Sequence, residues 1–398
     1  MAKCILCQTA EVGHGTKPEH VLNDALGGRR KTRWAICSAC NGKLGSTVDK
    51  AVAEQVKPIR NMFSMASGNG EPAPTIRVTS GDMTFDVLGD GRLRLVTSKP
   101  FNDTLAPDGT FSLQITGRSE DDIARSFAHA AAKRGMTVEE LISKIAKVTG
   151  VVQDLPPGSV GHQISFGGLD CSRMMMKSAL VLWCTAVGND ELHKGCYDDA
   201  RHFALNGDYK GEVALTTMDD RYVEGHAALA EAFGPLFNYI AVASDTNGRV
   251  KAYFGLYNLY ALCLTLAPSG GIAEQKAVLV SNPLDPGRWS DDIGPNMSID
   301  AAWMDAPHWS EDHSGYLDKL NKMGAFHQQF SRERMIKIEV EDRWRELRPD
   351  GLEVGSPEGH SFIGELSHAI SHNVLGLPRS KPFTIDNLMQ IVRRKGEN

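Results

Sequence analysis

Leu44, Val48, Val52 and Val56 recur at every fourth position between Ser38 and Ser64. That spacing predicts a helix with one apolar stripe, which Pro58 is expected to end or kink. Residues before it show only short apolar pieces, broken by Gly13 and Gly15. Glu19 to Leu22 predicts a strand end and turn, and Arg33 to Ile36 a short strand. Ser67 to Pro74 is rich in Gly and Pro and predicts a linker. Strand-like runs follow at Thr75–Val78, Met83–Leu88, Arg92–Thr97 and Thr110–Thr116, with turns at Gly89-Asp90-Gly91 and Asp108-Gly109. Acidic starts at Ser119–Asp122 and Thr137–Glu140 predict helices ending near Lys133 and Val148. Ser172 to Val187 is an apolar helical run, in which Met174-Met175-Met176 is expected to pack in a core. Asp198–Leu205 and Ser367–Asn373 read as short helices. Val250–Leu266 reads as one or two strands, and Trp309–Val340 as a charged helix. The mixture predicts an α+β protein in three parts. These are a small domain at 1–66, a linker at 67–75, and a larger mixed α+β region of unassigned fold at 76–398, with subdivision near 210 or 290.

Composition changes this picture little. A chain of 398 residues suffices for two or three domains. Hydrophobic residues make up 41% and charged residues 23%, as in ordinary globular proteins, and no apolar run has the length of a membrane span. Residues 1–4 lack a signal-peptide core, so a cytoplasmic protein is expected. Charge is more informative. Residues 1–60 carry ten Lys and Arg against five Asp and Glu. With −6 for the whole chain, a head at +5 precedes a body at −11. A basic head of this kind suits a polyanionic partner.

The cysteines are unevenly placed. Four form two C-x-x-C pairs, Cys4/Cys7 and Cys37/Cys40. The others (Cys171, Cys184, Cys196 and Cys263) are scattered and read as small apolar core residues. Two knuckles supply four thiolates for one tetrahedral zinc, the alternatives being redox dithiols or chance pairs. A closed four-sulfur site has no open position, so such a zinc is structural. Between the knuckles lies Glu19-His20, and Asn41 follows the last cysteine. A carboxylate beside an imidazole can divide work across a phosphodiester. The acid holds a hard cation while the neutral imidazole takes a proton from water. Asn41 offers a carbonyl oxygen to the same cation, and Mg²⁺ or another divalent ion suits such ligands. Arg29, Arg30, Lys31 and Arg33 follow the Gly27-Gly28 turn, and Lys43 follows Asn41. All five are candidates for phosphate contact. Asp49 lies eight residues beyond Asn41, for a structural or supporting role.

The ordered text Cys4-x-x-Cys7, Thr16-Lys17-Pro18-Glu19-His20-Val21-Leu22, Leu26-Gly27-Gly28-Arg29, Cys37-x-x-Cys40-Asn41-Gly42-Lys43-Leu44-Gly45 and Asp49 resembles the HNH endonucleases. More narrowly, it is similar to the zinc-ribbon branch of these ββα-metal nucleases. The resemblance covers about the first 60 residues. It implies that His20 is the general base and that Glu19 and Asn41 bind the catalytic metal. DNA, most readily double-stranded, is the implied partner. The chain departs from the pattern at the middle Asn, since Arg30 to Ile36 contains none. Thr32 or a backbone carbonyl is left to orient the base. The alternative is a zinc-containing nucleic-acid-binding protein without catalysis. The C-terminal region is expected to regulate or target the head, as in antiviral defence effectors. A regulatory ligand or partner there and self-association are further expectations, and a membrane is not among the partners.

Overall fold

The computed structural model describes residues 2–80, 83–96, 101–105, 107, 111–117, 120–145, 150–153, 164–208, 217–292, 299–347, 353, 355–374, 380–384, 386 and 389–390. The protein is α+β. Its contacts form two compact units. One comprises Met1–Pro74 and Gln163–Phe330, the other Thr75–His162 and Ser331–Asn398.

The first unit begins with a short antiparallel pair, β1 (Glu19–His20) and β2 (Lys31–Thr32), with Glu19 opposite Thr32 and His20 opposite Lys31. The strand expected at Arg33–Ile36 therefore ends one residue before it. There the chain turns back on the first knuckle: Ile5 N–H donates to Ala35 O at 2.8 Å, and the Arg33 guanidinium donates to His14 O and Thr16 O. Helix α1 (Ser38–Leu44) leads through a π-helical turn at Gly45–Asp49 into α2 (Lys50–Met62). The helix passes through Pro58 rather than ending there. The stripe Leu44, Val48, Val52 and Val56 is fully buried, and that burial outweighs one lost backbone bond.

The stretch 67–75 folds back on the head. Gly68 N–H donates to Asp24 O at 2.8 Å, and Asn69 N–H to Asp24 Oδ1 at 2.7 Å. Two glycines make this approach possible. A Cβ on Gly28 would lie 1.9 Å from Leu22 O, and one on Gly68 would lie 1.9 Å from Gly28 O. Neither backbone oxygen can yield cheaply. Gly28→Ala and Gly68→Ala are each expected to destabilise the fold by roughly 2–4 kcal/mol. Thermal unfolding checks this, and an unchanged midpoint would refute the close packing.

The second unit opens with the meander β3 (Ile76–Ser80), β4 (Met83–Val87) and β5 (Leu93–Val96), then the hairpin β6 (Phe101–Leu105) and β7 (Phe111–Ile115). Strand β6 was not predicted, because Phe-Asn-Asp-Thr-Leu holds residues rarely favoured in strands. Helices α3 (Glu120–Lys133) and α4 (Val138–Ser143) follow, the latter started by a Thr137–Glu140 capping box, and then β8 (Gly150–Gln153). Thr97, Asp108 to Thr110, Ser119 and the expected helix end near Val148 lie outside the described residues.

The first unit resumes with α5 (Gly168–Val187) and α6 (Asp198–Asn206), then β9 (Thr217–Asp219) and α7 (His226–Phe233). Strands β10 (Asn238–Ser244), β11 (Val250–Leu256), β12 (Tyr260–Ala267), β13 (Lys276–Ser281) and β14 (Trp289–Ser290) complete an antiparallel sheet ordered β14-β13-β10-β11-β12-β9. Every residue of β10 is buried. On one face Ile240 and Val242 join a core shared by α5 and the head. On the other, Tyr239, Ala241 and Ala243 join Tyr253 and Met304 of α8 (Ala301–Asp305). The head thus has no separate core. Met174, Met175 and Met176 lie fully buried in the same cluster as Cys4, Leu22 and Val52. Polar ties reinforce it: Asn238 Nδ2 donates to Leu26 O, Asn189 Nδ2 to Lys3 O, and Gln55 exchanges two bonds with the Gly167 backbone. Helix α9 (Ser314–Leu347) packs Phe326 and Phe330 on Phe63. Helix α10 (Pro357–Val374) is longer than its predicted 367–373 core, and β15 (Ser380–Phe383) pairs with β8 in the second unit.

Candidate active site

The two knuckles converge. The Sγ atoms of Cys4, Cys7, Cys37 and Cys40 all lie within 4.8 Å of one another, with Cys7 and Cys37 3.9 Å apart. A tetrahedron with Zn–S bonds of ~2.3 Å has edges of about 3.8 Å, so the group fits one zinc ion. Each knuckle is shaped by its backbone. Gln8, at φ 59°, turns the first and donates its N–H to Cys4 O. Cys37 caps α1, and Cys40 N–H points to its sulfur at 3.5 Å. The Thr9 hydroxyl donates to Cys7 Sγ at 3.4 Å. The Cys40 thiol beside it holds Cys4 down to about 4, and Cys40 is pushed up in turn. A metal takes cysteine in the thiolate form, the direction in which Cys4 is shifted. Among the described residues, these cysteines are the one group of His, Cys, Asp and Glu spaced for a metal.

Beside this cluster lies a pocket of about 360 Å³. It gathers the three residues placed in the chemistry, Glu19, His20 and Asn41. β1 presents Glu19 and His20, and the first turn of α1 presents Asn41, next to Cys40 of the four-cysteine cluster. Glu19 is buried and His20 half-buried. Burial pushes the Glu19 carboxyl above its ordinary range, with Lys177 pulling against it. Burial also pushes the His20 imidazole down, helped by Lys31 and opposed by Asp24 and the Asn69 amide. The neutral ring is the form that accepts a proton. His20 Nε2 is buried, has no hydrogen-bond partner, and lies 3.6 Å from Asp24 Oδ1.

The basic candidates separate. Lys31 lines the pocket and donates to Asn69 Oδ1 at 2.8 Å. Lys17, not singled out by sequence, lines it too. Arg30 pairs with Asp291 at 2.8 Å, and Arg33 is committed to the two loop carbonyls. Arg29 and Lys43 are exposed and do not line the pocket. The Thr32 hydroxyl accepts from Trp34 N–H at 3.2 Å. The side chains beside the imidazole are those of Asp24 and Asn69.

The pocket residues missed by sequence reading include Asn23 and Asp24 and, from outside the head motif, Asn69 and Lys177. Asn69 sits in the stretch expected to be a linker. Lys177 comes from the middle of α5 and is 1% exposed. Its Nζ reaches Glu19 Oε1 at 2.7 Å and the two Asp49 oxygens at 2.8 and 2.7 Å. The carboxylates on either side raise its pKa against the opposing effect of burial. A signal was present, since Lys177 is the only charged residue between Met174 and Asn189. Glu19 and Asn41 offer hard oxygens of the kind a divalent cation takes, and Lys177 shows that Glu19 and Asp49 already converge on a positive charge.

Comparison with known proteins agrees with this geometry. The family model described as HNH endonuclease matches residues 4–57, a span holding both knuckles, Glu19, His20 and Asn41. The match suggests a nuclease or nucleic-acid-binding role for the N-terminal region. No curated protein and no solved structure matches the chain. No helix among the described residues is long and apolar enough to cross a membrane.

Proposed function

We propose that the protein is a divalent-metal-dependent endonuclease that hydrolyses DNA phosphodiesters at this pocket. The observation carrying the reading is that Glu19, His20 and Asn41 line one pocket beside the four-cysteine cluster. Glu19 and Asn41 would hold the ion, Mg²⁺ or a similar cation. When bound, such an ion neutralises the phosphate and stabilises the leaving 3′-oxygen. His20 takes the proton of the attacking water at Nε2. Asn69, from beyond the matched span, stands in for the absent middle Asn and orients the ring. Lys17 and Lys31 attract the phosphate backbone, with Arg29 and Lys43 extending the basic surface for double-stranded DNA. The zinc is structural.

Purified protein with supercoiled plasmid and Mg²⁺ or Mn²⁺ is expected to yield nicked or linear product, suppressed by EDTA. DNA binding without cleavage under both ions would favour the second reading, a non-catalytic zinc module. The second unit is read as a regulatory or targeting element, in keeping with a defence effector. Its Lys and Arg nearly balance its Asp and Glu, 21 against 22 over 75–162 and 331–398, so the acidic charge of the chain lies outside this unit. Faster cleavage by a chain lacking both 75–162 and 331–398 would support restraint, and an equal rate would remove it.

A further inference from the structure

Lys177 is placed where the proposed reaction would feel it most. It lies 158 residues from Glu19 in sequence, yet its ammonium is bonded to that carboxylate and to Asp49. An ammonium has three donors, and the three short contacts use them all. Holding a long side chain buried and ordered costs both desolvation and rotamer entropy. Packing alone does not call for it: Leu or Met would fill the volume at lower cost, as the neighbouring Met174–Met176 do.

Electrostatics give the arrangement a consequence. Glu19 is the carboxylate that would bind the divalent ion, and Lys177 already satisfies one of its oxygens. An ion on Glu19 therefore shares that carboxylate with a fixed positive charge, and like charges at close range in a buried site repel. Asp49 compensates the ammonium but cannot turn freely to the ion, because both its oxygens face Nζ. Phosphate oxygens that add negative charge offset such a repulsion, the usual manner of Mg²⁺ in phosphoryl chemistry.

Resting on the nuclease reading, we propose that Lys177 is a positioning residue of the active site. It fixes Glu19 and Asp49 and lowers the intrinsic affinity for the divalent ion, so that the ion binds together with the phosphate backbone of the substrate. The half of the first unit beyond residue 163 is then part of the catalytic machinery.

The test is Mn²⁺ binding followed by the electron paramagnetic resonance signal of free Mn²⁺, on the full chain without DNA. Zinc content and circular dichroism are recorded in parallel. Lys177→Met leaves buried Glu19 and half-buried Asp49 without a counter-charge and is expected to bind Mn²⁺ at least tenfold more tightly than wild type. Lys177→Arg, which keeps the charge, is expected to stay near wild type. Asp49→Asn commits Lys177 to Glu19 alone and is expected to weaken Mn²⁺ binding at least threefold. Lys177→Gln, which keeps a donor for Glu19 and removes the charge, is expected to tighten Mn²⁺ binding in the same direction as Lys177→Met and decides the matter if Lys177→Met fails to fold. Unchanged or weaker binding in Lys177→Met, or unchanged binding in Asp49→Asn, overturns the proposal. Failure of the nuclease reading shows separately, as a wild-type chain that does not cleave plasmid at any Mn²⁺ concentration.

Discussion

Replacing His20 with Ala is expected to lower the single-turnover rate of plasmid cleavage about 10³-fold, the usual contribution of a positioned general base. The expectation follows from placement. His20 lies on β1 beside Glu19, in the same pocket as Asn41, and its Nε2 is buried with no hydrogen-bond partner. No backbone bond depends on the ring, and the core stripe lies elsewhere. Zinc content and melting temperature of His20→Ala should therefore match wild type. Cleavage at the wild-type rate would remove His20 from the chemistry. A loss of rate accompanied by a large fall in melting temperature would make the effect structural. Asn69→Ala is the companion case. It leaves the base but frees its orientation, so a smaller loss of about tenfold is expected with metal binding retained. If the two variants lose rate equally, Asn69 does more than orient.

The second large effect concerns stability. Cys4→Ser or Cys37→Ser should release the zinc and lower the melting temperature by roughly 10 °C, equivalent to about 3 kcal/mol or more. The four cysteines tie the first knuckle to α1, and Ile5, Leu6, Ala35 and Ile36 are buried around them. Without the metal, the link between the first knuckle and α1 rests on their packing and a few backbone hydrogen bonds such as Ile5 N–H to Ala35 O. The head also shares its core with α5 and the sheet, so unfolding should spread through the first unit in one transition. Metal analysis and differential scanning calorimetry measure both points. A serine variant that keeps its zinc, or melts at the wild-type temperature, would contradict a structural role.

How far the sequence revealed this follows from where each signal lies. The knuckles, Glu19-His20 and Asn41 are local: their spacing within about 40 residues sets what can meet. The stripe from Leu44 to Val56 was legible because its helix is half buried. Strands β10 and β13 were not, because a sheet covered on both faces loses its alternation, as the wholly buried β10 shows. Pro58 predicted a helix end, and tertiary packing overrode it. Asn69 and Lys177 reach the pocket only through the fold, one by a glycine-permitted return over Gly28, the other across 158 residues. Lys177 left a trace, as a lone charge in an apolar helix. The Gly-rich stretch before β3 read as a linker because composition records turns and cannot record that Asp24 accepts from two of its N–H groups.

The central claim is that Glu19, His20 and Asn41 form one metal-dependent catalytic pocket, distinct from the four-cysteine site. Anomalous diffraction from crystals of the full chain grown with a short DNA duplex and Mn²⁺ tests it most directly. The account predicts a zinc signal among Cys4, Cys7, Cys37 and Cys40, and a separate manganese signal bound by Glu19 and Asn41 with a phosphate oxygen. A manganese signal away from both residues, or none at saturating Mn²⁺ with DNA bound, would contradict it.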